Sequence, residues 1–191
     1  MKPLAFAFLC TSLIASASGS AFAQGSSRQG LWWGVGFSYG WAHVACDICR
    51  SGRGGGMSVT GDIGGTVSPS LLMAGELNGW LTGAGEVDEY MGTVGAVAYW
   101  YPRGGGPFYL KGGMSYVAYR NDDGENALTS SGFGPQVGAG YQVFVTSRMA
   151  IQPYFNLIVT LPLGNLTFNG DRQAEGISLG LLQLGLSATW H

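Results

Sequence analysis

From Leu31 the chain alternates. In LWWGVGFSYGWA the positions Leu31, Trp33, Val35, Phe37, Tyr39 and Trp41 are apolar or aromatic, and Gly34, Gly36, Ser38, Gly40 and Ala42 lie between them. A period of two residues puts successive side chains on opposite faces of a β-strand. MSVTGDIGGTV repeats the rule, with Met57, Val59, Ile63 and Val67 opposite Ser58, Thr60, Asp62, Gly64 and Thr66. LLMAGELNGWLT sets Leu71, Met73, Leu77 and Leu81 against Ala74, Glu76, Asn78 and Thr82. A fourth strand spans Glu89 to Tyr101, apolar on both faces, so its register stays open. The fifth sets Phe108, Leu110, Met114 and Tyr116 against Tyr109, Lys111, Gly113, Ser115 and Tyr119. The sixth sets Val137, Ala139, Tyr141 and Val143 against Gln136, Gly138, Gly140 and Gln142. A seventh, from Ala150 to Val159, pairs Ile151, Pro153, Phe155 and Leu157 with Gln152, Tyr154 and Asn156; its Pro153 removes a ladder donor. The eighth runs from Ile177 to Trp190, with Leu182, Leu184, Leu186, Ala188 and Trp190 opposite Gln183, Gly185, Ser187 and Thr189.

The connections alternate in length. Ser68-Pro69-Ser70, Pro102 to Gly106 and Val145 to Arg148 are short, whereas Cys46 to Gly56, Gly83 to Asp88, Asn121 to Ser131 and Leu161 to Gly176 are longer and carry many of the charges. Short turns on one side and longer loops on the other are the arrangement of an outer-membrane barrel whose short side faces the periplasm. Aromatic residues gather toward both strand ends. Trp32, Trp33, Trp100, Tyr101, Phe108, Phe144 and Trp190 lie near the short turns, and Tyr39, Trp41, Trp80, Tyr90, Tyr119 and Phe133 near the long loops. They are expected to form two interfacial girdles.

Composition decides which face meets what. Only 10% of the 191 residues are charged and 34 are glycine, against roughly a quarter charged in soluble domains. A soluble eight-stranded barrel of the lipocalin kind buries its apolar face and charges its outer one. Here one face of nearly every strand is apolar, the other is small and polar, and neither carries a run of Lys and Glu. A lipid-facing exterior accounts for that, since a lipid-exposed Lys or Arg at mid-depth costs about 2–4 kcal/mol. Closure into a barrel also pairs every backbone group without water. The net charge of −2 leaves no basic patch for nucleic acid, and 46% apolar with 13% aromatic residues excludes disorder.

Residues 1–23 read as a cleaved secretory signal peptide: Lys2, an apolar stretch from Leu4 to Ile14, and Ala21-Phe22-Ala23 before the cut. A short N-terminal segment, 24–29, then precedes the barrel domain, 30–191. The export signal, the GVGFSYGW strand, the LKGGMSY and GPQVGAGYQV strands and the closing ISLGLLQLGLSATWH resemble the small bacterial outer-membrane β-barrel superfamily, of the OmpA and OmpX barrel-domain type. The resemblance covers essentially all of the chain after the signal. It implies an all-β fold, an eight-stranded antiparallel up-and-down transmembrane barrel with short periplasmic turns and longer extracellular loops. The last segment looks like the C-terminal signal read by the family's assembly machinery, carried by Leu184, Leu186, Ala188 and Trp190. The family's usual terminal Phe is replaced by penultimate Trp190 and a final His191.

Directing the polar faces inward gathers a lumen cluster of Asp62, Glu76, Asn78, Lys111, Gln136, Gln142 and Asn156. Eight strands leave a lumen that side chains nearly fill. The expected arrangement is a plug in which Lys111 pairs with Glu76 and Asp62 and amides bridge the rest. The inward Gly34, Gly36, Gly40, Gly138 and Gly140 either leave a narrow cavity or make room for Trp80, Tyr109 and Tyr119. Cys46 and Cys49 of His43-Val-Ala-Cys-Asp-Ile-Cys are expected to form a loop disulfide, because an exported chain meets an oxidising compartment and two thiols with one imidazole fall short of a four-ligand zinc site. Catalysis would need a base near a nucleophile. Only His43 and His191 offer one, with Ser130 or Ser131 conceivable across the barrel from His43. The glycines of Gly52 to Gly56 read as a flexible loop leading into a strand rather than a helix, and Asn121 to Glu125 lacks the spacing of a calcium loop.

The expectation is a non-enzymatic integral outer-membrane barrel of structural or surface-interaction type, with no catalytic residue, metal or cofactor. Its partners are outer-membrane lipid, the assembly machinery during biogenesis and something extracellular at the loops. Nucleic acid is excluded and a monomer is expected. The alternative is a narrow transport or small-ligand barrel that uses the glycine-lined lumen.

Overall fold

The computed structural model describes residues 28–45, 53–84, 87–122, 126–169 and 171–191. The proposed signal peptide and the Cys46–Cys49 pair lie outside the described residues. The strands are β1 (Leu31–Ala45), β2 (Arg53–Ser68), β3 (Leu71–Ala84), β4 (Val87–Trp100), β5 (Phe108–Asp122), β6 (Ala127–Tyr141), β7 (Val143–Phe144), β8 (Met149–Val159), β9 (Gly164–Phe168) and β10 (Asp171–Trp190). Consecutive strands pair antiparallel from β1 to β6, and β10 returns to β1 to close the ring. β7 prolongs β6 past Gln142, while β8 and β9 follow one another along a single place in the wall between β6 and β10. The ten segments therefore make an eight-walled up-and-down barrel.

The predicted alternation holds on every strand, and the fourth strand now has its register. Met91, Thr93, Val97 and Tyr99 point inward, and Tyr90, Val94 and Trp100 outward. Partners on β3 and β5 decide this, because pairing Trp80 with Met91 and Lys111 with Tyr99 commits the whole strand at once. Pro153 is accommodated where the β6–β8 ladder has ended at Tyr154 and the short β7 ladder has not yet begun, so only its β10 side is paired.

Three expectations need correcting. The segment Leu161 to Gly176 is not a long loop. It forms β9, a tight hairpin and the start of β10, because Leu128 to Ser131 of β6 offers an unpaired ladder that β9 completes. For the same reason β5 and β6 stay paired from Asp122 and Ala127 downward, within the span expected as the Asn121–Ser131 loop. Second, Trp32, Tyr101, Trp80 and Tyr119 do not belong to the girdles: their positions on the alternation turn them into the lumen, where each is buried. The girdles consist of outward rings such as Trp33, Trp100, Phe108 and Tyr141 at the turn end and Tyr39, Tyr90 and Phe133 toward the loop end. Third, the inward face is not polar throughout. Near the loops Ile177, Leu179, Leu181, Ile158, Met91 and Trp80 form an apolar layer, and near the turns Trp32, Leu72, Val97, Tyr99, Tyr101 and Tyr109 form a second.

The outer wall is the reverse of a soluble surface. Leu31, Phe37, Ile63, Leu77 and Leu186 are all more than half exposed, within an apolar belt far larger than the patches soluble monomers tolerate. Hydrocarbon is the solvent that makes such a wall stable, and the closed ladder leaves no edge strand in it. Trp33 and Trp190 stack at 4.3 Å across the β1–β10 seam, clamping the closure from outside.

Candidate functional site

The polar lumen residues meet between the two apolar layers. Register places Glu76 opposite Asp62 and Gly95, Lys111 opposite Tyr99 and Gly138, and Asn156 opposite Gln183 and Gly138. Lys111 Nζ lies 2.6 Å from Glu76 Oε2, with both side chains almost wholly buried. The Tyr99 hydroxyl donates to Asp62 Oδ1 at 3.2 Å and reaches Glu76 Oε2 at 3.4 Å. Gln136 Nε2 donates to Glu76 Oε1 and, at 3.1 Å, to Asn156 Oδ1, while its own carbonyl accepts from Ser115 Oγ. Asn156 Nδ2 donates to Gln183 Oε1 at 3.0 Å, and Gln183 and Asn78 exchange two amide bonds of 2.8 and 3.1 Å. A continuous network thus links β2, β3, β4, β5, β6, β8 and β10.

Six of the seven residues expected in the cluster belong to this network. Gln142 does not: it lies past the end of β6, in the turn-end mouth. Its carbonyl accepts from Arg28 Nε at 2.7 Å and from the Tyr101 hydroxyl at 3.3 Å, and its amide faces His191 Nε2 at 2.9 Å. Arg28 is 7% exposed, although it precedes the first strand. Its Nη2 donates to the Gly106 carbonyl at 2.8 Å, and its guanidinium lies 3.8 Å from the Tyr101 ring centre. Arg28 therefore acts as a strap across the mouth. Burial lowers the Arg28 pKa from its ordinary value and pushes the Tyr101 hydroxyl up to about 12. Burial, aided by the Arg28 charge, holds His191 down to about 4, so the imidazole is neutral at pH 7.

Residue-by-residue reading missed Arg28, Tyr99, Ser115 and Gln183. Ser115 and Gln183 were legible as inward positions but were not singled out, whereas Tyr99 lies on the fourth strand, whose facing only the pairing with β3 and β5 decides. Of the inward glycines, Gly40 and Gly140 make room for aromatic side chains, while Gly34, Gly36 and Gly138 lie closest to backbone and smaller side chains of neighbouring strands. A Cβ on Gly40 would come within 2.9 Å of the Trp80 ring, and one on Gly140 would collide with the Tyr109 ring. Between plug and mouth remains a cavity of about 20 Å³, lined by Asp62, Tyr154, Gln152, Trp32 and His191 among others, space for about one water molecule. His43 shares the outward-facing parity of β1, whereas Ser130 is buried inside and Ser131 faces outward on β6, which does not neighbour β1, so the conceivable His–Ser pair is not assembled. Among the described residues no three His, Cys, Asp or Glu side chains gather as metal ligands.

No protein-family model matches the sequence, and no curated protein matches it. Solved structures do match. Neisserial surface protein A is 17% identical with a TM-score of 0.55, over 83% of this chain and 96% of that one. Ail, the attachment invasion locus protein of Yersinia pestis, is 12% identical with a TM-score of 0.52, over 84% of this chain and 99% of that one. The chain folds as a small outer-membrane β-barrel. At these identities the likeness extends to the fold alone.

Proposed function

We propose that this barrel is a non-enzymatic integral protein of the outer membrane that stabilises its membrane and presents its loop-end rim to the exterior, without conducting solutes. The observation that supports this reading is the plug. The Glu76–Lys111 pair, bridged through Gln136 and Asn156 to Gln183 and Asn78, crosses the lumen with hydrogen-bonded neighbours on every side. Apolar layers lie above and below it. Charges this buried are held in place by their partners and are costly to separate. The narrow-transport reading would require a continuous opening, and the space beside Gly40 and Gly140 is filled by Trp80 and Tyr109.

Planar-bilayer recording tests the proposal. The folded mature barrel is expected to give no steady single-channel current, and Lys111→Ala to lose stability without gaining one. A steady conductance in the wild type, or one that rises in Lys111→Ala while stability holds, would select the transport reading instead.

A further inference from the structure

Two polar groups at the turn-end mouth are satisfied by neither the strap nor the plug. Trp32 is 3% exposed, and its indole Nε1 has no hydrogen-bond partner among the described residues. His191 Nδ1 is likewise shut away from solvent and unpartnered. Buried N–H groups without an acceptor are rare, because the hydration they surrender on folding is recovered nowhere. The two rings are neighbours, with centroids 6.1 Å apart and planes inclined by 30°, and both border the cavity of about 20 Å³ between plug and mouth.

Gln142 decides which nitrogen of His191 carries the proton. Its carbonyl already takes Arg28 Nε at 2.7 Å and the Tyr101 hydroxyl at 3.3 Å, so the atom facing His191 Nε2 at 2.9 Å is the amide nitrogen, which only donates. Nε2 is therefore an acceptor. Burial keeps the imidazole neutral at pH 7, and the single proton of a neutral ring then sits on Nδ1. Two N–H donors thus border the cavity. Its lining also holds acceptors: the Tyr154 and Ser187 hydroxyls, and the Asp62 carboxylate, which takes the Tyr99 hydroxyl at 3.2 Å and has capacity for more.

We infer that this cavity is a binding site for a single water molecule that bridges the mouth to the plug. The water accepts from Trp32 Nε1 and His191 Nδ1 and donates to the Asp62 carboxylate. Size and hydrogen bonding both select it. A cavity of about 20 Å³ has room for one water and for little else. A chloride ion could accept both N–H groups, but it could not donate, and it would lie against Asp62 and Glu76, whose carboxylates line the same space. A sodium ion suits the carboxylates and is repelled by the two N–H groups. Only an occupant that accepts and donates fits both. The bridge completes a run of polar contacts from Arg28 through Gln142 and His191 to Asp62, and from there through Tyr99 to the Glu76–Lys111 pair.

A crystal structure of the detergent-folded mature chain, grown with bromide in place of chloride, tests the site. The expected result is one density peak of a water's weight, about 2.7–3.2 Å from both Trp32 Nε1 and His191 Nδ1, with no anomalous signal at the bromine edge. In 15N NMR of the same chain at pH 7, the His191 proton is expected on Nδ1, with Nε2 bare. His191→Phe keeps a ring and removes one donor. It is expected to weaken or abolish the peak while the unheated chain keeps the mobility of the folded barrel. A cavity without density, an anomalous peak that marks an anion, or a proton on Nε2 overturns the inference, as does a water of undiminished occupancy in His191→Phe. Should that variant not fold, the wild-type density and spectrum decide alone.

Discussion

Lys111 and Glu76 show why a charge inside this barrel behaves differently from one on a soluble surface. Both are buried, 2.6 Å apart, and each partner holds the other's charge where water cannot. Removing one leaves the other uncompensated, so Lys111→Ala is expected to cost about 3–5 kcal/mol in urea unfolding of the folded barrel. Lys111→Met combined with Glu76→Gln removes both charges and should recover most of that loss. His191 provides a second prediction, in pH. Its folded pKa of about 4 lies below the ordinary 6.5, so the unfolded chain binds more protons between these values. The stability this contributes is present in full above pH 6.5 and is lost as pH falls through about 4. His191→Phe keeps a ring against Trp32 and should flatten that part of the profile, read as the thermal midpoint of the gel-mobility shift across pH 4–7. An unchanged profile would place the acid sensitivity elsewhere.

Among the strands, small and large residues are matched across the lumen. Gly140 on β6 lies opposite Tyr109 on β5, and Gly40 on β1 admits the Trp80 indole, whose Nε1 donates to the Gly40 carbonyl at 3.0 Å. Gly140→Ala is therefore expected to destabilise by about 1–3 kcal/mol through overpacking. A Tyr109→Phe background, which removes the nearest atom, should reduce that cost, whereas Gly75→Ala on the open outer face should be neutral within about 0.5 kcal/mol. Equilibrium unfolding of these four variants checks the pattern. The step from β8 to β9 shows the same economy of pairing. Thr160 Oγ1 accepts from the Leu179 amide at 2.8 Å, and the Leu161 amide donates to the Phe133 carbonyl at 2.9 Å, so the wall stays bonded while Pro162 and Leu163 bulge from it.

The whole barrel is closed at three levels: an apolar layer toward the loops, the charged plug at mid-height and the Arg28 strap at the turns. Arg28→Ala should leave the fold intact, because no strand depends on it, yet admit water to the turn-end cavity. Faster hydrogen exchange at the Trp32 indole, read by NMR, would register that opening, and an unaltered rate would show that the strap does not seal the mouth. The closed ladder should also survive detergent electrophoresis. The unheated mature chain is expected to migrate faster than the boiled one, and identical mobilities would count against a closed barrel.

The alternation of LWWGVGFSYGWA, the scarcity of charge and the polar positions of Glu76, Asn78, Lys111, Gln136 and Asn156 were legible along the chain because a strand's two faces are decided by neighbours two residues apart. That is local information. It determined the barrel, the facing of side chains on the alternating strands and most of the plug. The strand that is apolar on both faces had no such marker, and only its pairing with β3 and β5 set Met91 and Tyr99 inward. Leu161 to Gly176 looked like a loop because its pattern is broken by Pro162, Gly164 and Gly176; the free ladder of β6 made it wall. Arg28 gave no signal at all, since a lone basic residue ahead of a strand is marked only by the mouth it covers. Closure decided these points, because it brings residues more than a hundred positions apart, such as Arg28 and Gln142, within a hydrogen bond of one another.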